Sequence, residues 1–306
     1  LRDDFGFEGM VMSDWGAALD PAKALDGGTD LAMPGPANPK AIYEAVKNGE
    51  VSEEVLDRAC KRILSVYSWI LEHYRKEEVD ALPIEAVLEK TDAAAYDAAC
   101  EGIVLLKNDG SCPLAKQTKL AILGSGSKQM LECGSGSAGI DTSRHGDVKA
   151  EFARYFELVD TAEAEYVVVI AVISGMEGND RENLFLARED LDILAKLKKQ
   201  NKNVILVLNT CGPVDMREIE TENVKTVFCT FLPGMAGAKA LSDMIAGVVN
   251  PSGKLTITFP ERLEDAPTYM NFPGEGYHVN YGEGIYIGYR YYDKKKIHPR
   301  YAFGHG

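Results

Sequence analysis

The feature that most constrains the fold is a regular alternation of apolar strands and amphipathic helices in the second part of the chain. The clearest strand is the uninterrupted apolar run YVVVIAVI at 166–173, which suits one buried strand and is too short to span a membrane. The other predicted strands lie near 103–106, 120–123, 204–208, 224–230 and 255–258, and the predicted helices near 187–199 and 237–245. Such alternation indicates a largely parallel sheet that is covered by helices on both faces.

The first part of the chain, residues 1–76, shows the pattern strand, helix, strand, helix. GMVMS at 9–13 is typical of a buried parallel strand, and a second short strand is predicted to end at Met33. A long amphipathic helical region follows over 39–74. Because two strand–helix units cannot close a barrel, this part is either the remainder of a larger barrel or an addition to the second domain.

Residues 77–100 separate the two parts. They are acidic and Ala-rich, and we interpret them as a linker that ends in a helix, so that the second domain covers 101–306. Within the helical region before them, Asn48 and Gly49 predict a break. Ser52, which two glutamates follow, is a favourable N-cap for the helix after that break.

Charge and cysteine spacing argue against several classes of protein. The chain has a net charge of −14, which is unsuited to binding nucleic acid or an anionic membrane surface. Its six cysteines form no C-x-x-C pair and its five histidines are dispersed, so we expect no metal site and no disulfide framework. Free thiols are typical of a reducing compartment, and we therefore expect a cytoplasmic protein.

Two acidic motifs follow predicted strands at the carboxyl ends, where α/β folds place their active sites. Asp14 ends the first strand beside Trp15, and the loop SGMEGNDREN, which contains Glu177, follows the strand at 166–173. Taken alone, Asp14 could be a turn or N-cap residue, and the loop could be a solvated charged loop. Together, one carboxylate to attack and one to protonate are what retaining glycoside hydrolysis requires, with the carboxyl groups about 5–5.5 Å apart.

Two glycine-rich stretches, GSGS at 124–127 and GSGSAG at 134–139, raise the question of a phosphate-binding loop. The first fails the dinucleotide pattern because Gln129 stands where the third glycine belongs. Neither continues into a Walker motif or a G-x-S-x-G elbow. We interpret both as turns or active-site loops.

The tail beyond Pro260 is rich in Tyr, Gly and Pro. We expect it to follow the surface as ordered loops. Within it, IYIGYRYYD at 285–293 alternates like a strand and is expected to pack the tail, although a place in the lining of a sugar site is an alternative.

Several longer motifs together resemble glycoside hydrolase family 3, and specifically its β-glucosidase branch. They are GFEGMVMSDWGA, LAMPGP, GIVLLKNDG, NPSGKLTITFP, GIYIGYRYYD and YAFGHG, and they occur in the family's order over nearly the whole chain. The resemblance implies an α/β fold made of the last two βα units of a TIM-like barrel, followed by a six-stranded α/β sandwich domain. It also implies an exo-acting, retaining hydrolase that releases a terminal sugar from a small carbohydrate and needs no cofactor.

The resemblance assigns the catalytic carboxylates. Asp14 matches the family nucleophile of the S-D-W motif. Glu177 matches the acid/base in a loop whose usual form is S-G-E-G-x-D-R, although Met176 is an extra residue here. The alternatives that this insertion leaves open are Asp180 and Glu182.

The resemblance also implies residues that bind substrate. Trp15 would help to wall the sugar-binding cleft. Ser137, next to Gly136, would be the counterpart of a G-S-G-S loop residue that reaches the sugar, although Cys133 stands where a glycine is common. No metal site belongs to this set.

In the family pattern Asp14 ends the seventh barrel strand, so the resemblance implies that six strands lie outside this sequence. We therefore expect an internal piece of a longer enzyme, or one of two chains that complete it together, and no activity from the piece alone. A carbohydrate-binding module without catalysis is the alternative function. An amidase-like or hexosaminidase-like relative with an Asp–His pair is disfavoured, because that branch usually lacks the sandwich domain.

Overall fold

A computed structural model describes residues 1–35, 38–144, 146–217 and 219–306. These residues form two compact units, Leu1–Pro83 and Ile84–Gly306. The segment that we predicted as a linker, 77–100, contains most of one short helix and a large part of the first helix of the second unit. Pro36 of the LAMPGP motif and His145 lie outside the described residues.

The first unit alternates strands and helices as its pattern predicts. Its elements are α1 (Arg2–Phe5), β1 (Met12–Trp15), α2 (Pro21–Asp26), β2 (Leu31–Met33), α3 (Pro39–Lys47), α4 (Glu53–His73) and α5 (Lys76–Asp80). The second strand ends at Met33, and the helical region breaks between α3 and α4, as predicted. The Ser52 cap is also confirmed, since its hydroxyl accepts a hydrogen bond of 3.4 Å from the Val55 amide.

The first strand differs from its prediction in position and burial. It spans Met12–Trp15 rather than 9–13, and it pairs in parallel with β2, but most of its side chains are exposed. The reason is that a two-stranded sheet covers little surface. The buried residues of this unit form only a small cluster, which consists of Leu25, Ala45, Val51 and Ala59.

The second unit is a six-stranded mixed sheet with helices on both faces, which confirms the predicted α/β sandwich. Its elements are α6 (Ile84–Gly102), β3 (Val104–Asn108), β4 (Lys119–Leu123), α7 (Val148–Ala153), β5 (Glu157–Leu158), β6 (Tyr166–Ile173), α8 (Arg188–Lys199), β7 (Asn203–Thr210), β8 (Val224–Cys229), α9 (Gly237–Ile245) and α10 (Tyr289–Lys295). The strand order is β3-β8-β7-β6-β4-β5. Only β3 runs antiparallel to its neighbour within this described sheet.

Strand β6 shows why the sequence pattern is continuous rather than alternating. Val167 and Val169 face one core, which α8 covers with Leu194. Val168 faces the other core, which α6, α7 and α9 cover, for example with Phe152. Because a central strand is buried on both faces, every position along it is apolar.

Two predictions for the second unit were wrong. Residues 255–258 are not a strand of the sheet, and the sixth strand is instead the two-residue β5. The backbone there is held by the tail, since the Phe259 amide donates to the Tyr301 carbonyl at 2.9 Å. The aromatic run at 285–293 is also not a strand, because α10 begins within it and buries Tyr292.

The six cysteines are free thiols. Across the described ranges, no helix combines the length and apolar character that crossing a bilayer requires. The same residues contain no cluster of three or more His, Cys, Asp or Glu side chains that could hold a metal ion.

Candidate active site

Asp14 and Trp15 are the last two residues of β1. The end of this strand is fixed to β2 by two hydrogen bonds. The Met33 amide donates to the Ser13 hydroxyl at 2.9 Å, and the Gly16 amide donates to the Met33 carbonyl at 3.0 Å. Asp14 and Trp15 are both exposed at the carboxyl end of this two-stranded sheet, where the side chains are accessible to a ligand.

A buried carboxylate that the sequence analysis missed anchors the other end of β1. The Asp30 side chain is only 2% exposed and forms ion pairs with Arg2 at 2.7 Å and Arg62 at 3.1 Å. It also accepts a hydrogen bond of 2.8 Å from the amide of Val11, which directly precedes β1. The cluster therefore ties the strand that carries Asp14 to helix α4. Its members are far apart in sequence, so no spacing pattern could have revealed it.

Glu177 lies at the tip of a tight turn that follows the carboxyl end of β6. The Asn179 amide donates to the Met176 carbonyl at 3.2 Å, which closes a four-residue turn. Gly178, the third residue of that turn, has a φ of +78°, as a type II turn requires at this position. The turn leaves the Glu177 side chain exposed, while the extra residue Met176 pairs through its backbone with Ser135.

The second glycine-rich loop brings Ser137 to Glu177. Ser137 is the central residue of a single 3₁₀ turn at Gly136–Ala138, and its hydroxyl is hydrogen-bonded to Oε2 of Glu177. Gly136 has a φ of +73°, and a Cβ added there would lie 3.9 Å from the same carboxylate oxygen. The structure therefore brings together two of the predicted site residues within the second unit. Asp180 and Glu182 are exposed residues farther along the Glu177 loop.

The loop that carries Ser137 is anchored to the sheet by Asn209, a second residue that the sequence analysis missed. Asn209 is fully buried at the carboxyl end of β7. Its side-chain oxygen accepts from the Leu131 amide at 2.6 Å, and its nitrogen donates to the carbonyls of Leu131 and Phe231. The available signal was a polar residue directly after the apolar run at 204–208. This contact fixes where the loop leaves the sheet.

The loop that carries Glu177 is supported by the segment that follows β7. Arg181 donates from Nη2 to the Pro213 carbonyl at 2.9 Å. Gly175 lies directly against Cys211, since an added Cβ would be 2.6 Å from the Cys211 sulfur and 2.9 Å from its Cβ. Only glycine fits at position 175, so the backbone of this loop is set two residues before Glu177.

The first glycine-rich stretch is a structural turn. A Cβ at Gly124 would lie 2.4 Å from the carbonyl oxygen of Ile170, so glycine is required where β4 ends against β6. The buried carboxylate of Asp190 accepts from the Ser125 amide at 2.8 Å and from its hydroxyl at 2.7 Å. Because a carboxylate already occupies these donors, the first stretch is a turn whose Ser125 donors serve the fold.

Comparison with known proteins identifies the family. A model described as the glycosyl hydrolase family 3 C-terminal domain matches residues 103–289, and one described as the N-terminal domain of the same family matches residues 1–66. The chain belongs to glycosyl hydrolase family 3. The resemblance that the sequence motifs carry is thereby confirmed.

Within family 3, the chain is similar to enzymes that act on different sugars. It is 36% identical to the thermostable β-glucosidase B of Acetivibrio thermocellus and 34% identical to the exo-α-(1→6)-L-arabinopyranosidase of Bifidobacterium longum, in each case over all of this chain and 44% of the relative. The structure of β-glucosidase 3B from Thermotoga neapolitana in complex with glucose matches all of this chain and 51% of that one, with a TM-score of 0.87 and 29% identity. The family 3 chain described here thus spans about half the length of these relatives.

Proposed function

We propose that this chain is the part of an exo-acting, retaining β-glucosidase-like enzyme that carries both catalytic carboxylates. The observation that supports this most directly is Glu177 at the tip of an exposed turn, held by Ser137, in a family 3 chain whose Asp14 lies at the carboxyl end of β1. The relatives named as β-glucosidases favour a glucoside substrate. The relative named as an arabinopyranosidase leaves the identity of the sugar open.

In the proposed mechanism, Asp14 attacks the anomeric carbon and forms a covalent ester while the glycosidic bond breaks. Glu177, initially protonated, donates its proton to the departing oxygen. Glu177, now a carboxylate, then takes a proton from water as the water oxygen attacks the anomeric carbon. The bond to Asp14 breaks and the sugar leaves with retained configuration. Trp15 walls the sugar cleft, and Ser137 contacts a sugar hydroxyl.

We further propose that additional barrel strands complete the cleft around Asp14. A two-stranded sheet leaves Asp14 and Trp15 exposed, whereas a sugar site buries most of its ligand. These strands would come from a longer polypeptide that contains this sequence or from a second chain. We therefore expect the 306-residue chain alone to hydrolyse no aryl glucoside. Turnover by the purified chain would contradict this part of the proposal.

Azide rescue in the completed enzyme tests the two assignments. Asp14→Ala should abolish turnover. Glu177→Ala should lower it by about 10²–10⁴-fold. With a dinitrophenyl glycoside, whose leaving group needs no proton, added azide should restore turnover, because azide attacks the glycosyl-enzyme without needing a general base. The product would be a glycosyl azide of retained configuration.

The matched control for this experiment is Asp180→Ala, which removes a carboxylate three residues away on the same loop. Its activity should remain high and should not respond to azide. If azide instead rescued the Asp180 variant or a Glu182→Ala variant, the acid/base role would move to that residue.

A further inference from the structure

The hydrogen bond between Ser137 and Glu177 has a chemical consequence for the acid step. A protonated carboxyl group has one hydroxyl oxygen, which donates, and one carbonyl oxygen, which accepts. The Ser137 hydroxyl is bonded to Oε2 of Glu177. When Ser137 donates to Oε2, that oxygen is the carbonyl oxygen of the acid, and the catalytic proton is on Oε1.

We propose that Ser137 is a positioning residue for Glu177, and that its hydroxyl holds Oε2 so that Oε1 presents the proton to the leaving oxygen. This inference rests on the proposed acid/base role of Glu177. It goes beyond the proposed role in sugar binding, because Ser137 here also acts on the catalytic side chain.

The surroundings of Glu177 explain why such a residue is needed. The side chain is exposed at the tip of a turn, and a long, exposed side chain loses rotamer entropy when it is held in one conformation. The Ser135–Met176 pairing and the contact of Gly175 with Cys211 fix the backbone of the loop. They do not fix the torsions of the Glu177 side chain, which Ser137 restrains.

Ser137 is itself placed by a series of rigid contacts. Buried Asn209 holds both backbone groups of Leu131, and the Gly234 amide donates to the Glu132 carbonyl at 3.0 Å. The loop then forms the short turn that carries Ser137. The loop that places Ser137 is therefore anchored at the carboxyl end of β7.

The dependence of rate on the leaving group distinguishes positioning from sugar binding. A dinitrophenyl glycoside leaves as a stable phenolate and needs no proton, whereas an alkyl glycoside leaves only with one. In the completed enzyme, Ser137→Ala should lower kcat/KM for the alkyl glycoside at least about tenfold more than for the dinitrophenyl glycoside, since general acid catalysis is worth about 10²–10⁴-fold. Ser137→Thr retains a hydroxyl and should recover much of this difference.

Two controls complete the experiment. Ser143→Ala removes an exposed serine from the segment that follows the Ser137 loop and should leave both rates unchanged. Glu177→Ala should show the same asymmetry between substrates as Ser137→Ala, but more strongly.

An equal loss on both substrates for Ser137→Ala would overturn the inference and leave Ser137 as a sugar contact only. No loss on either substrate would overturn it as well. An equal loss on both substrates for Glu177→Ala would instead reject the proposed function of Glu177. The two failures are therefore distinguishable.

Discussion

Asp243 is the centre of the most strongly connected buried ion cluster described in the second unit, and its charge should matter for stability. Its side chain is 2% exposed. It accepts hydrogen bonds from the hydroxyls of Tyr96 at 2.6 Å and Tyr155 at 2.8 Å. Arg154 at 3.1 Å and Lys239 at 3.2 Å add two ion pairs. The cluster joins helices α6 and α9 to the segment after α7, and we expect Asp243→Asn to weaken this junction.

The expected loss in the free energy of unfolding can be worked out from the hydrogen-bond and ion-pair partners of Asp243. A hydrogen bond to a charged acceptor is worth about 1.5–3 kcal/mol and a neutral one about 0.5–1.5 kcal/mol. The two tyrosine bonds together should therefore lose about 2–3 kcal/mol. Because Arg154 and Lys239 are 39% and 41% exposed, water replaces much of their attraction, and they add less than about 1 kcal/mol. We expect a loss near 3 kcal/mol in the free energy of unfolding at pH 7.

The pH dependence provides a second signature. Burial alone would raise the pKa of Asp243, but the hydrogen bonds from Tyr96, Tyr155 and Lys239 outweigh it and hold the pKa below its ordinary value of 3.8. A carboxyl group with a lowered pKa in the folded state stabilises the protein above pH 3.8, and this contribution is lost as the pH falls through the folded-state value. The difference between the wild type and Asp243→Asn should shrink over that range.

Urea denaturation followed by far-UV circular dichroism measures this difference. The midpoint should fall by about 1 M or more, given slopes of about 1–3 kcal/mol per molar urea. The matched control is Asp192→Asn, which alters an exposed pair with Arg188. A loss below about 0.5 kcal/mol for Asp243→Asn, or one that persists unchanged at pH 2.5, would refute the reasoning.

Two further predictions concern the second unit. Burial and the hydrogen bond to Asp243 raise the pKa of Tyr96, so the stability that this tyrosine contributes is present below pH 10 and is lost as the pH rises above it. Urea midpoints at pH 8 and pH 10.5 measure the loss. Equal midpoints would contradict the prediction. Gly175→Ala places a Cβ 2.6 Å from the Cys211 sulfur and should cost about 1–3 kcal/mol. Cys211→Gly in the same chain should recover most of that cost, and additive losses in a double-mutant cycle would show that the contact is not the cause.

The parts of the fold that could be predicted are those where burial leaves a periodic trace. Strand β6 was evident because both of its faces are buried. Helix α9 begins and ends at the predicted residues. The two-residue strand β5 leaves no such trace. At 255–258, Leu255 and Ile257 alternate with threonines and pack with the core, while the Leu255 amide donates to the His305 carbonyl of the tail. Periodicity does not say which partner such apolar side chains meet.

In the candidate site, too, some features could be predicted from the sequence and others could not. The sequence placed Glu177 on a loop after strand β6, because the apolar run that precedes this loop is visible in the sequence. The bond from Ser137 to Glu177 joins two loops 40 residues apart, and Asp30 and Asn209 bind partners that are also distant in sequence. Contacts of this kind depend on the sheet order and carry no spacing signature.

Trapping of the glycosyl-enzyme tests the central claim most directly. In the completed enzyme, a 2-deoxy-2-fluoro glucoside with an activated leaving group should form the ester quickly and release it slowly, so that intact-mass analysis shows one added sugar. Peptide mapping should place this sugar on Asp14, and the Glu177→Ala variant should accumulate the same adduct. A sugar mapped to any other residue, or no adduct while the substrate turns over, would contradict the assignment of Asp14 as nucleophile.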